Sequence, residues 1–161
     1  SSAASAAASA VAFSFAPPPR PAHAKDKSEP VTPETVSFAF DAVRFELEDP
    51  SGGVAILASR VEAEDYQGIM DYTKEYDLEF RKAKMGRARK LLTDKKVKEE
   101  AVLLCNAVTF DLIGMNKSSR PGRENREEAE RYLGELRADI AKFLELEGTV
   151  DFEAAAAAAA N

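Results

Sequence analysis

Apolar residues recur every three or four positions through most of the chain after residue 53, with charged residues between them. This period is typical of amphipathic helices. A helix with one apolar stripe has to bury that stripe against another element, so the pattern predicts an all-α, up-down four-helix bundle. We expect its helices over about 54–71, 74–92, 96–116 and 126–147, with a break near 71–73.

The ends of the last two helices carry further signals. Asn125 lies three residues before Glu128 and is expected to cap the amide of that residue, while Gly148 is a natural C-cap. Residues 96–116 are apolar nearly all round between Ala101 and Met115. We therefore expect the third helix to be the most buried element of the bundle.

Residues 36–49 are ambiguous. Val36, Phe40, Val43 and Leu47 fit one face of a helix, whereas the alternation of residues 43, 45 and 47 fits a strand. The aromatic content and the turn signal that follows, DPSGG, favour a short strand at about 43–47.

Both ends of the chain differ from the bundle in composition. Residues 17–33 hold six of the eight prolines, which predicts an extended arm. An Ala-rich stretch and the triplet at 22–24 look like the apolar and cleavage regions of a targeting peptide, although the preceding basic region is missing. The expected organisation is an arm over 1–53, a bundle over 54–148 and a tail over 149–161.

Composition narrows the chemistry. The chain of 161 residues has a net charge of −6, one Cys, one His and no Trp. A disulfide within the chain and a Cys/His metal site are therefore excluded, and Cys105 in the run AVLLCNAV is expected to be a buried, inert thiol. The single histidine, His23, lies far along the chain from Cys105, so we expect no catalytic site, no cofactor and no metal.

One segment reverses the overall charge. Between residues 81 and 98, nine basic residues are interrupted by one acid, Asp94. A solvated helix face is one interpretation of this segment. The other is an electropositive surface that docks onto an acidic protein face. Nucleic acid is not expected as a partner, because the net charge is negative and no aromatic platform accompanies the patch. The candidate docking residues are Arg81, Lys82, Lys84, Arg87, Arg89, Lys90, Lys95, Lys96 and Lys98.

Several segments resemble the PsbQ family, which comprises lumenal extrinsic subunits of photosystem II. Residues 77–83, DLEFRKA, are similar to the D-L-R-L-R-A opening of that family's second long helix. Asp111-Leu112 followed by Lys117-Ser118-Ser119 resembles the end of its third helix, and residues 128–132, EAERY, resemble the E-A-E-K-Y-Y opening of its last helix. Residues 44–47, RFEL, resemble a short strand ahead of the bundle.

This resemblance implies a non-catalytic extrinsic subunit that docks on the lumenal face of photosystem II. Such a subunit contacts the photosystem core and other extrinsic subunits, and it stabilises the oxygen-evolving complex and its retention of calcium and chloride. The implied location is the chloroplast thylakoid lumen, peripheral to the membrane. The loop 119–125 is longer than the family's tight turn and the family's Trp-Pro is absent, which fits a PsbQ-prime-like branch.

Other interpretations remain open at the level of sequence. A PsbQ-like chain also serves as a structural subunit of photosystem I or of the NADH-dehydrogenase-like complex. A small helical enzyme or ligand carrier would need a cavity with convergent polar groups, which the apolar third helix disfavours. A cytosolic adaptor for acidic helices is a further class.

Overall fold

The structure is a computed structural model that describes residues 28–161. It is all-helical, as predicted, and no β-strand occurs among those residues. Its α-helices are α1 (Pro33–Glu48), α2 (Gly53–Glu62), α3 (Tyr66–Tyr76), α4 (Gly86–Lys90), α5 (Lys95–Lys117), α6 (Arg126–Glu145) and α7 (Phe152–Ala159). A π-helical segment, Asp77–Met85, joins α3 to α4 without interruption, and a 3₁₀ turn, Leu146–Thr149, follows α6.

The strand predicted at 43–47 is wrong, because those residues belong to α1. Thr32 caps the helix in a reciprocal arrangement with Thr35, and Pro33 supplies a φ angle suited to the first turn. The buried side chains Val36, Phe40 and Val43 recur at helical spacing. Tertiary packing of this stripe outweighs the strand preference of its aromatic and β-branched residues.

Helix α1 packs into the same core as the later helices. The Phe40 ring stacks on the ring of Phe143 in α6, with the centroids 5.6 Å apart. Arg44 also donates to the carboxylate of Glu147 at 2.7 Å, just beyond the end of α6. The boundary predicted at residue 53 thus falls between two helices of one core.

The first break lies earlier than the 71–73 that the sequence predicts. Helix α2 ends at Glu62, and Glu64 adopts a left-handed backbone conformation with φ of 52°. Asp65 then caps α3 by accepting a hydrogen bond from the amide of Gly68 at 2.9 Å. Residues 71–73 lie inside α3 and continue the helix.

The π-helical segment changes which side chains are buried. A π-helix pairs residues five apart, and Phe80 and Met85, five residues apart, are both fully buried. Leu78 and Ala83, which an α-helical period would place on buried stripes, are exposed. The segment 66–90 is one continuous rod with a change of winding at its middle.

Helix α5 matches the prediction to within one residue at each end, and α6 begins at the predicted residue but ends at Glu145, two residues earlier than predicted. Asp94 caps α5 through the amide of Val97 at 3.0 Å, and Asn125 caps α6 through the amide of Glu128 at 3.1 Å. The two helices approach closely at Gly114, where a Cβ atom would lie 2.4 Å from the ring of Tyr132. Gly148 lies in the 3₁₀ turn and does not act as a left-handed C-cap.

The prediction that the third helix is the most buried element is wrong, because seven of the 23 residues of α5 are buried, against four of the 10 residues of α2. One face of α5 lies in the core through Ala101, Val108, Leu112 and Met115. The opposite face exposes four large apolar side chains, namely Val102, Leu103, Phe110 and Ile113. No other helix among residues 28–161 covers this face.

The chain ends are described only in part. The proline-rich arm and the targeting-like stretch fall mainly on residues outside the described range, which begins at Ser28. At the other end, α7 has no buried residue, and the Asp151 amide before it donates to the Thr93 hydroxyl at 3.0 Å. The tail is therefore a helix that adds nothing to the core.

Candidate docking surface

The nine candidate cations lie along the π-helical segment, α4 and the first turn of α5. None of the nine is buried. Counting only carboxylates of residues 28–161, three of the nine are held in ion pairs and six are not. The two groups differ in what they contribute to docking. A cation already paired with a carboxylate gains less free energy from a carboxylate of a partner.

The three paired cations form contacts that belong to the fold. Arg81 binds Asp77 at 2.8 Å, four residues earlier on the same rod. Burial works to raise the pKa of Asp77, but hydrogen bonds from Arg81 and Thr109 outweigh it and lower that pKa. Lys84 pairs with Glu46 of α1.

Arg87 ties the start of the described chain to α4. Its Nε donates to Glu29 Oε2 at 2.9 Å, and its guanidinium lies 4.8 Å from the centre of the Phe38 ring. The hydrogen bond from Arg87 lowers the pKa of Glu29. The segment leading into α1 is therefore held against the basic surface.

Glu46 connects α1 to α2, to α3 and to the π-helical segment through hydrogen bonds, and the sequence does not indicate this role. Its buried carboxylate accepts hydrogen bonds from the Gly53 amide at 2.7 Å and the Tyr76 hydroxyl at 2.9 Å, in addition to Lys84. Burial and the charge of Glu46 raise the pKa of Tyr76, which stays protonated. These partners lie up to 38 residues away in the chain, and nothing in the local pattern of residues 43–47 indicates them.

The other six cations have no carboxylate within ion-pair distance in the part of the chain from Ser28 onward. They are Lys82, Arg89, Lys90, Lys95, Lys96 and Lys98. We call these six the unpaired cations.

Three of the unpaired cations occupy an unfavourable position for the helix that carries them. Lys95, Lys96 and Lys98 lie in the first turn of α5, where the helix dipole is positive. Each cation there costs about 0.3–1 kcal/mol at low ionic strength. Asp94 at the N-cap offsets part of that cost. Helix stability therefore does not account for these lysines.

Two grooves bring the cations together with apolar side chains. A cleft of about 830 Å³ is lined by Lys82, Arg87 and Lys90 together with Leu78 and Leu91. A smaller groove of about 260 Å³ places Arg81, Lys82 and Arg89 beside Val102 and Asn106 of α5. The second groove connects the basic surface with the exposed apolar face of α5.

Cys105, the one thiol of the sequence, is buried in α5. Burial raises the pKa of the Cys105 thiol, although the charges of Arg89 and Arg81 partly oppose that rise. The thiol therefore stays protonated at neutral pH, and His23 lies outside the described range. Between Ser28 and Asn161, no three His, Cys, Asp or Glu side chains converge to hold a metal ion.

A buried acid lies between α5 and α6, away from the basic surface. Asp111 is 4% exposed, and its Oδ2 atom has no hydrogen-bond partner when the carboxyl is ionised. Burial, and after it the neighbouring carboxyl groups of Asp139 and Glu135, together raise the pKa of Asp111 to about 8. Asp111 is thus a neutral acid at pH 7, with a proton that it can donate to Asp139.

None of the helices between Ser28 and Asn161 combines the length and the apolar character that a membrane crossing requires.

Comparisons with known proteins do not assign the chain to a family. No family model, no curated protein and no solved structure matches the sequence or the fold.

Proposed function

We propose that the chain is a non-catalytic extrinsic subunit that docks on the lumenal face of photosystem II through its basic surface. There it stabilises the oxygen-evolving complex and its retention of calcium and chloride. The proposal includes an up-down four-helix topology, with α1 and α2 together as the first rod, and a location in the chloroplast thylakoid lumen.

The observation that carries the proposal is the set of unpaired cations. Six of nine basic residues between 81 and 98 lack an ion-pair partner within residues 28–161, and three of them oppose the dipole of their own helix. Cations that lack an ion pair and oppose the dipole of their own helix favour a role in association. There they steer a negatively charged partner and set its orientation. The similarity of three helical segments to the PsbQ family supports photosystem II as that partner.

The basic surface makes docking depend on salt. Exposed charges are screened over about 10 Å at 0.1 M ionic strength, so a wash at about 1 M salt is expected to release the chain from photosystem II membranes. Rebinding is then measured for the variant Lys90→Glu/Lys96→Glu against Arg123→Glu/Arg137→Glu, which changes the net charge equally at exposed positions elsewhere.

The first variant is expected to rebind about tenfold more weakly or worse, and the second like the unchanged chain. Equal rebinding of the two variants, or retention of the chain through the salt wash, would contradict docking through this surface. Co-purification with photosystem I or with the NADH-dehydrogenase-like complex, and not with photosystem II, would move the same chain to the alternative thylakoid partner.

A further inference from the structure

The exposed face of α5 is an apolar stripe of regular spacing that no element between Ser28 and Asn161 covers. Leu103 and Phe110 are 69% and 68% exposed, while Val102 and Ile113 are 39% and 41% exposed. Isolated apolar side chains on a surface are ordinary, but a contiguous apolar patch typically marks an interaction site. The stripe needs a partner that removes it from water.

The spacing of the stripe fits a helical partner. Positions 103, 106, 110 and 113 follow each other at steps of three, four and three, which places them along one side of α5. From Leu103 to Ile113 the stripe extends about 15 Å along the helix axis. Asn106 is the one polar residue of the stripe. A single polar residue in the contact between two paired helices fixes their register.

The edge of the stripe determines the charge of the partner. Arg81, Lys82 and Arg89 line the groove that contains Val102 and Asn106. Lys82 and Arg89 belong to the unpaired cations. A partner helix in the stripe would lay one of its edges along this groove, and carboxylates on that edge would satisfy both cations.

We infer that α5 docks a helix of another protein, one with an apolar stripe and a row of carboxylates along one edge. The contact is apolar at its centre and charged at its rim, which is the usual anatomy of a protein interface. The inference goes beyond the proposed function, because it assigns a second contact surface and does not require that the partner be a photosystem.

A second copy of the chain fits this face less well. An antiparallel two-fold pair brings the same edge of each α5 together, so the cationic edges would lie opposite one another. A parallel pair would oppose Glu99 to its own copy and Lys117 to its own copy. Like charges in such positions cost free energy in either arrangement.

An anionic membrane surface also fits less well. Helices that lie in the membrane interface carry Lys and Arg on their polar face. Here Glu99 and Glu100 are exposed one turn before Leu103, where anionic headgroups would repel them. Asn106 would also enter the apolar layer between Leu103 and Phe110.

The test uses the full chain and two monomeric, side-chain-bridged helical peptides of the length of α5. Both peptides carry leucine at heptad spacing; one has Glu along the flanking edge and the other has Lys. Fluorescence anisotropy is expected to show binding of the Glu peptide with a Kd about tenfold lower, or better, than that of the Lys peptide. The variant Leu103→Ser/Phe110→Ser is expected to weaken binding of the Glu peptide about tenfold or more.

The matched control is Phe38→Ser, which removes another exposed aromatic side chain, from α1, and is expected to leave peptide binding unchanged. Thermal unfolding checks that all variants fold. Absence of peptide binding, equal binding of both peptides, or binding unaffected by the double substitution would overturn the inference. So would a dimer in sedimentation that the double substitution abolishes, or equally strong binding to phosphatidylglycerol vesicles. None of these results depends on whether the chain binds photosystem II.

Discussion

At the scale of single residues, Asp111 has the most unusual environment. It is buried between two helices with two further carboxyl groups beside it, and its pKa is raised to about 8. The folded chain therefore holds a proton between about pH 4 and pH 8 that an unfolded chain, with an ordinary aspartate, has lost. By linkage, the free energy of unfolding decreases as the pH rises through this window.

Replacing Asp111 with Asn is expected to stabilise the chain at pH 8 by about 1–3 kcal/mol, because a neutral amide needs no buried charge. The gain is expected to shrink toward pH 5, where the acid already carries its proton in the folded state. Urea unfolding at both pH values measures the difference.

The control for Asp111→Asn is Glu127→Gln, an exposed acid of α6, which is expected to shift neither value appreciably. A destabilised Asp111→Asn at pH 8 would show that the carboxylate is ionised and paired in the folded chain.

Residue burial could be predicted only where it follows from the local pattern. The outward position of the nine cations follows from the cost of burying charge. The roles of Glu46 and Asp111 do not follow from sequence, since the first depends on Gly53, Tyr76 and Lys84, and the second on α6. Each acid looks like any other charged position of an amphipathic helix until the tertiary packing is known.

At the scale of elements, the first turn of α5 combines an acidic N-cap with three lysines that lie at the positive end of the helix dipole. Asp94 accepts from the Val97 amide and is the only acid among the basic residues 81–98. Asn125 makes the equivalent hydrogen bond for α6, with acidic residues, Glu127 and Glu128, in the turn that follows.

Asp94→Ala is therefore expected to cost more stability than Asn125→Ala. Loss of a cap costs about 1 kcal/mol, and Asp94→Ala also removes the charge that offsets three lysines at the positive end of the dipole. Urea unfolding at low and high salt separates the contributions, because only the charge contribution is screened. Equal losses at low salt would show that the lysines do not disturb the helix.

Some features of the helices follow from the sequence and others do not. The limits of α5 and the start of α6 follow from their caps and apolar periods, and the structure confirms both. The π-helical winding of residues 77–85 does not follow from the sequence, because the apolar residues of this segment also fit the 3.6-residue period of an α-helix. The exposed face of α5 was missed for a related reason: apolar residues on every side of a helix indicate burial only if every side has a neighbour.

At the scale of the whole molecule, α1 completes the core and α7 does not take part in it. Four apolar side chains of α1 are buried, and Phe40 stacks on Phe143. No side chain of α7 is buried.

A chain that ends at Val150 is therefore expected to unfold at the same temperature as the full chain. A chain that begins at residue 54 is expected to lose cooperative unfolding. Each large apolar side chain removed from the core forfeits about 1.5–3 kcal/mol, and several together approach the total stability of a domain, about 5–15 kcal/mol. Calorimetry of the two truncated chains provides the measurement, and a cooperative transition from the shorter chain would contradict a core that includes α1.

The stacking of Phe40 on Phe143 has a consequence for how the chain is made. The two rings are separated by about a hundred residues of sequence, so during synthesis α1 emerges from the ribosome long before α6 exists to cover it. Its apolar face stays uncovered until those residues have been added. Closure of this part of the core is thus an event of high contact order, and until α6 has been translated the nascent polypeptide lacks a piece of its own interior.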